Sequence, residues 1–308
     1  MINRRNIRVK VMQTLYIMTV LEDEVKPADA VRMLQKLFDQ TRQLFIYITY
    51  FLSEVAQYAI KDAQTRALKH LPSFEDLHVN TKLAGNEVLA KIQADSSFKE
   101  FAKKDKPELL SDRELVRKTY HELVDTKEYK SYISQPTREK REEREILEFI
   151  LEKFLLGKEL FLSHLEENFS NWDDDAEMVI QLLVNYLQKP GTYNFSEMIS
   201  PEKWEFAKNL LQTVCEKSRY LENFIVPKLK NWDPERIALL DMILMKMGVA
   251  EFLYFETIPP KVTINEYIDL AKEYSTTQSG QFVNGILDNI HKELVQEGKM
   301  HKVDFKKT

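Results

Sequence analysis

Four basic residues stand within the first ten positions, Arg4, Arg5, Arg8 and Lys10, and no acidic residue precedes Glu22. The rest of the chain has the opposite sign, because 49 Asp and Glu against 44 Lys and Arg leave a formal charge of -5 over 308 residues. A guanidinium presents paired N–H donors that match a phosphate, and it stays charged at any relevant pH. Cationic side chains close to a nucleic acid also gain affinity by releasing its counterions. The chemistry expected of this arm is phosphate binding, with RNA or DNA as the ligand. The plain alternative is a solvated first turn of a helix.

Catalytic constellations are harder to find. Six histidines occur, His70, His78, His121, His164, His291 and His301, and none stands in a His-x-x-x-His or His-Glu-x-x-His spacing. The single cysteine, Cys215, sits within a helical apolar pattern, where a small buried hydrophobe is the simpler role. One cysteine makes neither an intrachain disulfide nor a cysteine-rich zinc site. Asp173, Asp174 and Asp175 lack the glycine of a calcium loop, and three acids at a helix start suit the helix dipole. Only 7 glycines are present, and no Walker loop, nucleophile elbow or dinucleotide fingerprint is found. No catalytic residue, metal site or cofactor is expected, and the chain is read as a non-enzyme.

The elements that must position the basic arm are helical. Ile7, Val11, Leu15 and Met18 recur at helical spacing over 3–19. A second helix is expected from Pro27 through about residue 68. Its stretch Phe45–Phe51 is rich in β-formers, but the flanking pattern favours helix. The middle, 69–144, is polar with scattered apolar residues. There Ser111-Asp112-Arg113-Glu114 offers a helix start, Pro136 a stop, and 138–144 a solvated helix face of alternating charge. From Ile146 the helical pattern strengthens. Pro201 and Pro234 open helices, and Phe206, Leu210, Val214 and Leu221 can share one face. A polar loop at 275–280 precedes a last helix with Phe282, Val283, Ile286, Leu287 and Ile290. The most apolar window, 44–52, is too short for a membrane span of ~20 residues. No secretory signal is read at the N-terminus, so the cytoplasm is the expected compartment.

Two stretches carry a family likeness. Ile258-Pro259-Pro260-Lys261-Val262-Thr263-Ile264-Asn265-Glu266 leads through Leu270-Ala271-Lys272 to Ser279-Gly280-Gln281-Phe282-Val283-Asn284-Gly285-Ile286-Leu287-Asp288. This order resembles the C-terminal part of the NusB family of transcription antitermination factors. Asp241 and Glu251 fit the preceding helix of that family. Arg4-Arg5-Asn6-Ile7-Arg8 and Gln13-Thr14-Leu15-Tyr16 resemble its Arg-rich start and its Gln-Ala-Leu-Tyr. The likeness covers about 206–294 and 4–16, and 68–144 has no counterpart. The implied fold is all-α, a helical bundle of two subbundles with an enlarged helical middle. The expected divisions are 1–68 (N-terminal helices with the basic arm), 69–145 (polar insertion) and 146–308 (C-terminal helices, NusB-like from about 206).

The resemblance implies an RNA-binding transcription antitermination factor. It would act on the boxA element of ribosomal RNA leader transcripts together with NusE, a small-subunit ribosomal protein, and join the RNA polymerase elongation complex. Arg4, Arg5 and Arg8 would then hold phosphates, while Phe282 and Asn284 at the start of the last helix would meet bases, with Gln281 beside them in the RNA-binding set. Backbone N–H groups there could also receive a phosphate. Core packing is the alternative for Phe282, bracing the loop for Asn284, and close helix packing for Gly285. Gln281 replaces a residue that is often basic in the family, and Gln278 one that is often acidic. Tyr16 and Asp241 match positions at or near the NusE-binding face; their plain alternatives are a packed hydroxyl and a helix-surface acid. A different class of reading is a helical protein-interaction scaffold without direct RNA reading. The RNA reading requires the basic arm to fold beside the closing helix.

Overall fold

The computed structural model describes residues 2–21, 26–229 and 237–303, and the described residues form helices with no strand. In chain order these are α1 (Arg4–Val20), α2 (Pro27–Ala67), α3 (Phe74–Leu77), α4 (Glu87–Ala94), α5 (Ser96–Asp105), α6 (Arg113–Leu123), α7 (Lys127–Ser134) and α8 (Lys140–Glu148). They continue with α9 (Glu159–Asn168), α10 (Trp172–Gln188), α11 (Pro201–Glu216), α12 (Ser218–Ile225), α13 (Leu239–Tyr254), α14 (Pro260–Tyr274) and α15 (Ser279–Gln296). The all-α expectation is met. Among the described residues no helix is long and apolar enough to cross a membrane. The helix start expected at Pro234 lies outside the described residues.

Two compact units are present, one of Asp39–Met198 and one of the described parts of Ile2–Phe38 and Ile199–Thr308. The expected divisions at 68 and 145 do not coincide with these limits. The reason is α2, whose continuous helix carries the core residues of the first unit from Leu44 onward. Leu44, Phe45, Ile46, Tyr47, Ile48 and Phe51 are all fully buried. Burial around the whole circumference explains why this stretch is mostly apolar, with Thr49 satisfied by the Phe45 carbonyl, and why β-propensity does not decide its structure.

In the unit of Asp39–Met198 the polar middle folds by local capping. Side chains of Ser73, Asn86, Asp95, Asp112 and Thr126 each accept a backbone N–H at the start of a short helix. Such caps satisfy donors that a short helix otherwise leaves open. Glu143 ties the pieces together. Its carboxylate is completely buried and accepts from Tyr132 Oη at 2.7 Å, the Glu87 N–H at 2.7 Å and Arg138 Nη1 at 3.1 Å. Lys82 Nζ donates to the carbonyls of Tyr132, Gln135 and Thr137 at 2.8, 3.0 and 3.0 Å. The charged run 138–144 is therefore not simply a solvated face, because one of its acids lies in the core. Asp173, Asp174 and Asp175 do open α10, and Asp175 also accepts from Thr41 Oγ1 at 2.6 Å.

In the second unit α1 packs on α11 and α13, and α14 pairs with α15. Asn3 caps α1 by accepting the Asn6 N–H at 2.9 Å. A Cβ at Gly248 of α13 would meet Leu287 Cδ2 at 2.9 Å, so α13 and α15 approach too closely there for a larger residue. The face expected to run from Phe206 to Leu221 is shared by two helices, because the chain turns at Lys217 between α11 and α12.

Replacement of Glu143 by Ala leaves three donors facing an empty acceptor position. The expected loss of unfolding free energy is roughly 2–4 kcal/mol, read from urea denaturation; a change within error would show that Glu143 does not organise this unit.

Candidate nucleic-acid interface

The basic arm divides into two inward and two outward cations. Arg8 is 2% exposed and Lys10 1%. Arg8 Nε donates to Glu251 Oε1 at 2.8 Å, and Nη2 to Oε2 at 3.1 Å. Its Nη1 reaches Glu266 Oε2 at 3.2 Å. Glu251 is fully buried and also accepts from Thr263 Oγ1 at 2.9 Å and Tyr267 Oη at 2.8 Å. Burial alone would lower the Arg8 pKa, but the bonds and charge of Glu251, with Tyr267 and Glu266, outweigh it and hold it above its ordinary value. This corrects the expectation for Arg8. Its donors face protein carboxylates inside the unit, so it fixes the arm and is not a surface phosphate ligand.

Arg4 and Arg5 point outward. Arg4 is partly exposed, lies over the Phe206 ring at 5.6 Å and bonds Glu202 Oε1 through Nη2 at 2.9 Å. Arg5 Nη2 meets Glu273 Oε2 at 2.6 Å. Glu273 is in the last turn of α14, immediately before the loop that leads to α15. The Arg5–Glu273 pair thus brings the basic arm to the end of α14.

That loop is pinned by Ser279, which is 2% exposed. Its Oγ accepts the Thr276 N–H at 3.2 Å and donates to Asp241 Oδ2 at 2.8 Å. Asp241 is itself only 5% exposed, which corrects its expected place on a partner face. A hydroxyl needs a close acceptor inside the unit, and Asp241 supplies it through Oδ2, while its Oδ1 is buried with no hydrogen-bond partner among the described residues. Tyr16, by contrast, is 40% exposed.

At the start of α15, Gln281 and Asn284 are exposed and Phe282 is partly buried. A Cβ at Gly285 would meet no atom within 4 Å, so close packing does not account for this glycine. The N–H groups of Ser279, Gln281 and Phe282 already bond the carbonyls of Thr276 and Gln278. This limits what the helix start offers to a phosphate. Lys272 was not among the expected site residues. Its side chain crosses the first turn of α15, where a Cβ at Gly280 would approach Lys272 Cγ to 2.6 Å. The signal was present in the Leu270-Ala271-Lys272 and Ser279-Gly280 pairs, but only helix pairing shows that they meet. Arg5 thus reaches the end of α14 and Lys272, itself 3.5 Å from Asp269, runs beside Gly280 at the start of α15, where Gln281 and Asn284 are exposed, while Arg4 pairs on α11. Such a set can hold phosphates and contact unstacked bases.

Nucleophilic chemistry finds no support at Cys215. Burial, with the Glu216 charge, pushes its thiol up to about 11. Among the described residues, no group of three or more His, Cys, Asp or Glu could hold a metal ion.

Two outcomes are expected. Glu251→Ala strands the Arg8 charge in the core and lowers unfolding free energy by about 3–5 kcal/mol; an unchanged urea midpoint would contradict the central place of this pair. Iodoacetamide should alkylate Cys215 at pH 8 about 100-fold more slowly than a free cysteine. Because its thiolate forms only as pH approaches 11, the rate should keep climbing above pH 9, where a free thiol levels off.

A scan against family models matches residues 168–292 to "NusB family". The match starts well before residue 206 and leaves α1, with its basic arm, outside. Among curated proteins, the chain is 35% identical over 134 residues to "Transcription antitermination protein NusB" of Chloroherpeton thalassium, covering 41% of this chain and 64% of that protein. This is just under two thirds of that relative's length. The Salinibacter ruber protein of the same name is 37% identical, with 42% and 76% covered. The Methylacidiphilum infernorum protein, also of that name, is 35% identical, with 38% and 87% covered. No solved structure matches the chain. With a family match over 168–292 and relatives covered across most of their length, this chain belongs to the NusB family.

Proposed function

We propose that this protein is a cytoplasmic, non-enzymatic transcription antitermination factor that binds boxA-like leader RNA of ribosomal transcripts. It would act with the ribosomal protein NusE on the elongating RNA polymerase. The family membership and the printed function of the relatives support the general role. The observation that carries the RNA reading is the 2.6 Å pair between Arg5 and Glu273, beside the loop that opens the helix of Phe282 and Asn284. Arg4, Arg5 and Lys272 are assigned to phosphates, and Gln281, Phe282 and Asn284 to bases. Arg8 and Asp241 act behind this surface, as the anchors of the arm and of the loop.

Partner binding is assigned to the neighbourhood of Tyr16. A recess of about 390 Å³ opens on the same helix beside Leu15 and Met18, without Tyr16 in its lining, and includes Val214 and Glu216 of α11 and Met242 and Lys246 of α13. An apolar recess edged by few charges suits a protein partner. The scaffold reading draws on a separate feature in the other unit, where Leu68, Leu71, Phe74 and Leu77 are 85, 86, 75 and 56% exposed. A cluster of this kind is common at protein contacts.

Titration with a boxA-like single-stranded RNA at several salt concentrations tests the RNA reading. Arg4→Ala with Arg5→Ala should weaken binding and flatten the dependence of log K on log salt by about 1.4 units, about 0.7 for each phosphate contact on a single strand. Equal affinity and equal slope in the two proteins would remove the basic arm from the function.

A further inference from the structure

Each outward cation of the arm is already paired with a carboxylate from another helix. Arg4 meets Glu202 of α11, and Arg5 meets Glu273 of α14. Both pairs are monodentate, through Nη2 alone. Both are open to solvent, with Glu202 80% and Glu273 51% exposed. The contrast with Arg8 is sharp, since its partner Glu251 is fully buried and holds two of its nitrogens. One arginine is locked, while the other two are held by acids that can swing into water.

We infer that Glu202 and Glu273 are affinity-setting residues which occupy the phosphate positions of the arm and must be displaced when RNA binds. The inference rests on the RNA reading proposed above. A carboxylate and a phosphate oxygen compete for the same guanidinium donors. An arginine paired with glutamate also presents almost no net charge to an approaching strand. The pair therefore depresses binding of any polyanion. The effect matters most for a strand that offers phosphates and nothing else, because such a strand has no base contacts to offset the lost pairs. Exposed ion pairs are individually weak, so displacement remains within reach of a strand that also engages α15.

The test is a double-mutant cycle on the full chain, with a boxA-like single-stranded RNA as probe. Four proteins are compared: the wild type, Glu202→Gln with Glu273→Gln, Arg4→Ala with Arg5→Ala, and all four changes together. Thermal unfolding by circular dichroism checks that each folds as the wild type does. The glutamine pair should tighten binding by about threefold to tenfold and steepen its salt dependence, and this gain should vanish in the Arg4→Ala, Arg5→Ala background. If the glutamine pair leaves affinity unchanged or weakens it, the glutamates position the arginines and the inference is overturned. An equal gain in both backgrounds overturns it as well, since the glutamates would then act as distant charge. Failure of the underlying RNA reading looks different: Arg4→Ala with Arg5→Ala then binds as the wild type does.

Discussion

Arg8 and Glu251 stand 243 positions apart and meet as a fully buried ion pair with two hydrogen bonds. Removing two charges from water is costly, and only near-complete satisfaction of their donors and acceptors offsets it. Here the carboxylate accepts four bonds: two from Arg8, one from Thr263 and one from Tyr267. The pair links α1 to α13, and its hydroxyl partners come from α14. One polar cluster therefore holds α1 at fixed register against the consecutive helices α13 and α14, far from it in the chain. Arg4 and Arg5 stand about one turn earlier, at the open start of the same helix, and are partly exposed there. The candidate interface depends on this arrangement.

A second buried acid does comparable work in the unit of Asp39–Met198. Glu143 is fully enclosed and takes its bonds from Tyr132, Arg138 and the backbone of Glu87. The helices around it are short, and a short helix carries a large share of unsatisfied ends. Side-chain caps at five of them, together with Lys82 across three carbonyls, meet that need locally. A polar composition is thus compatible with an ordered fold.

Electrostatics of the interface follow from the chain's excess of acids. An acidic protein that binds a polyanion must gather cations on one face and keep them from binding indiscriminately. On the proposed reading the gathering would fall to α1 and the end of α14, and the restraint to the glutamates of α11 and α14 that pair with Arg4 and Arg5. The amides and ring of α15 would lie outside that balance on the same reading, because uncharged groups recognise bases without drawing on the phosphate field.

Much was legible from residue order alone. Helical periodicity set the bounds of α1 and α2 to within a residue or two, and proline marked the start of α11. These are local properties, decided by neighbours three and four positions away. What only tertiary structure decided was the use of each charge. Arg5 and Arg8 are the same residue type three positions apart, yet one faces solvent and the other the core. Asp241 and Glu251 share one helix as internal anchors, Lys272 joins the site across Gly280, and Glu143 sits in the core within a run of alternating charge. Burial of a charge depends on partners brought from distant segments, and composition and periodicity carry no record of which segments meet.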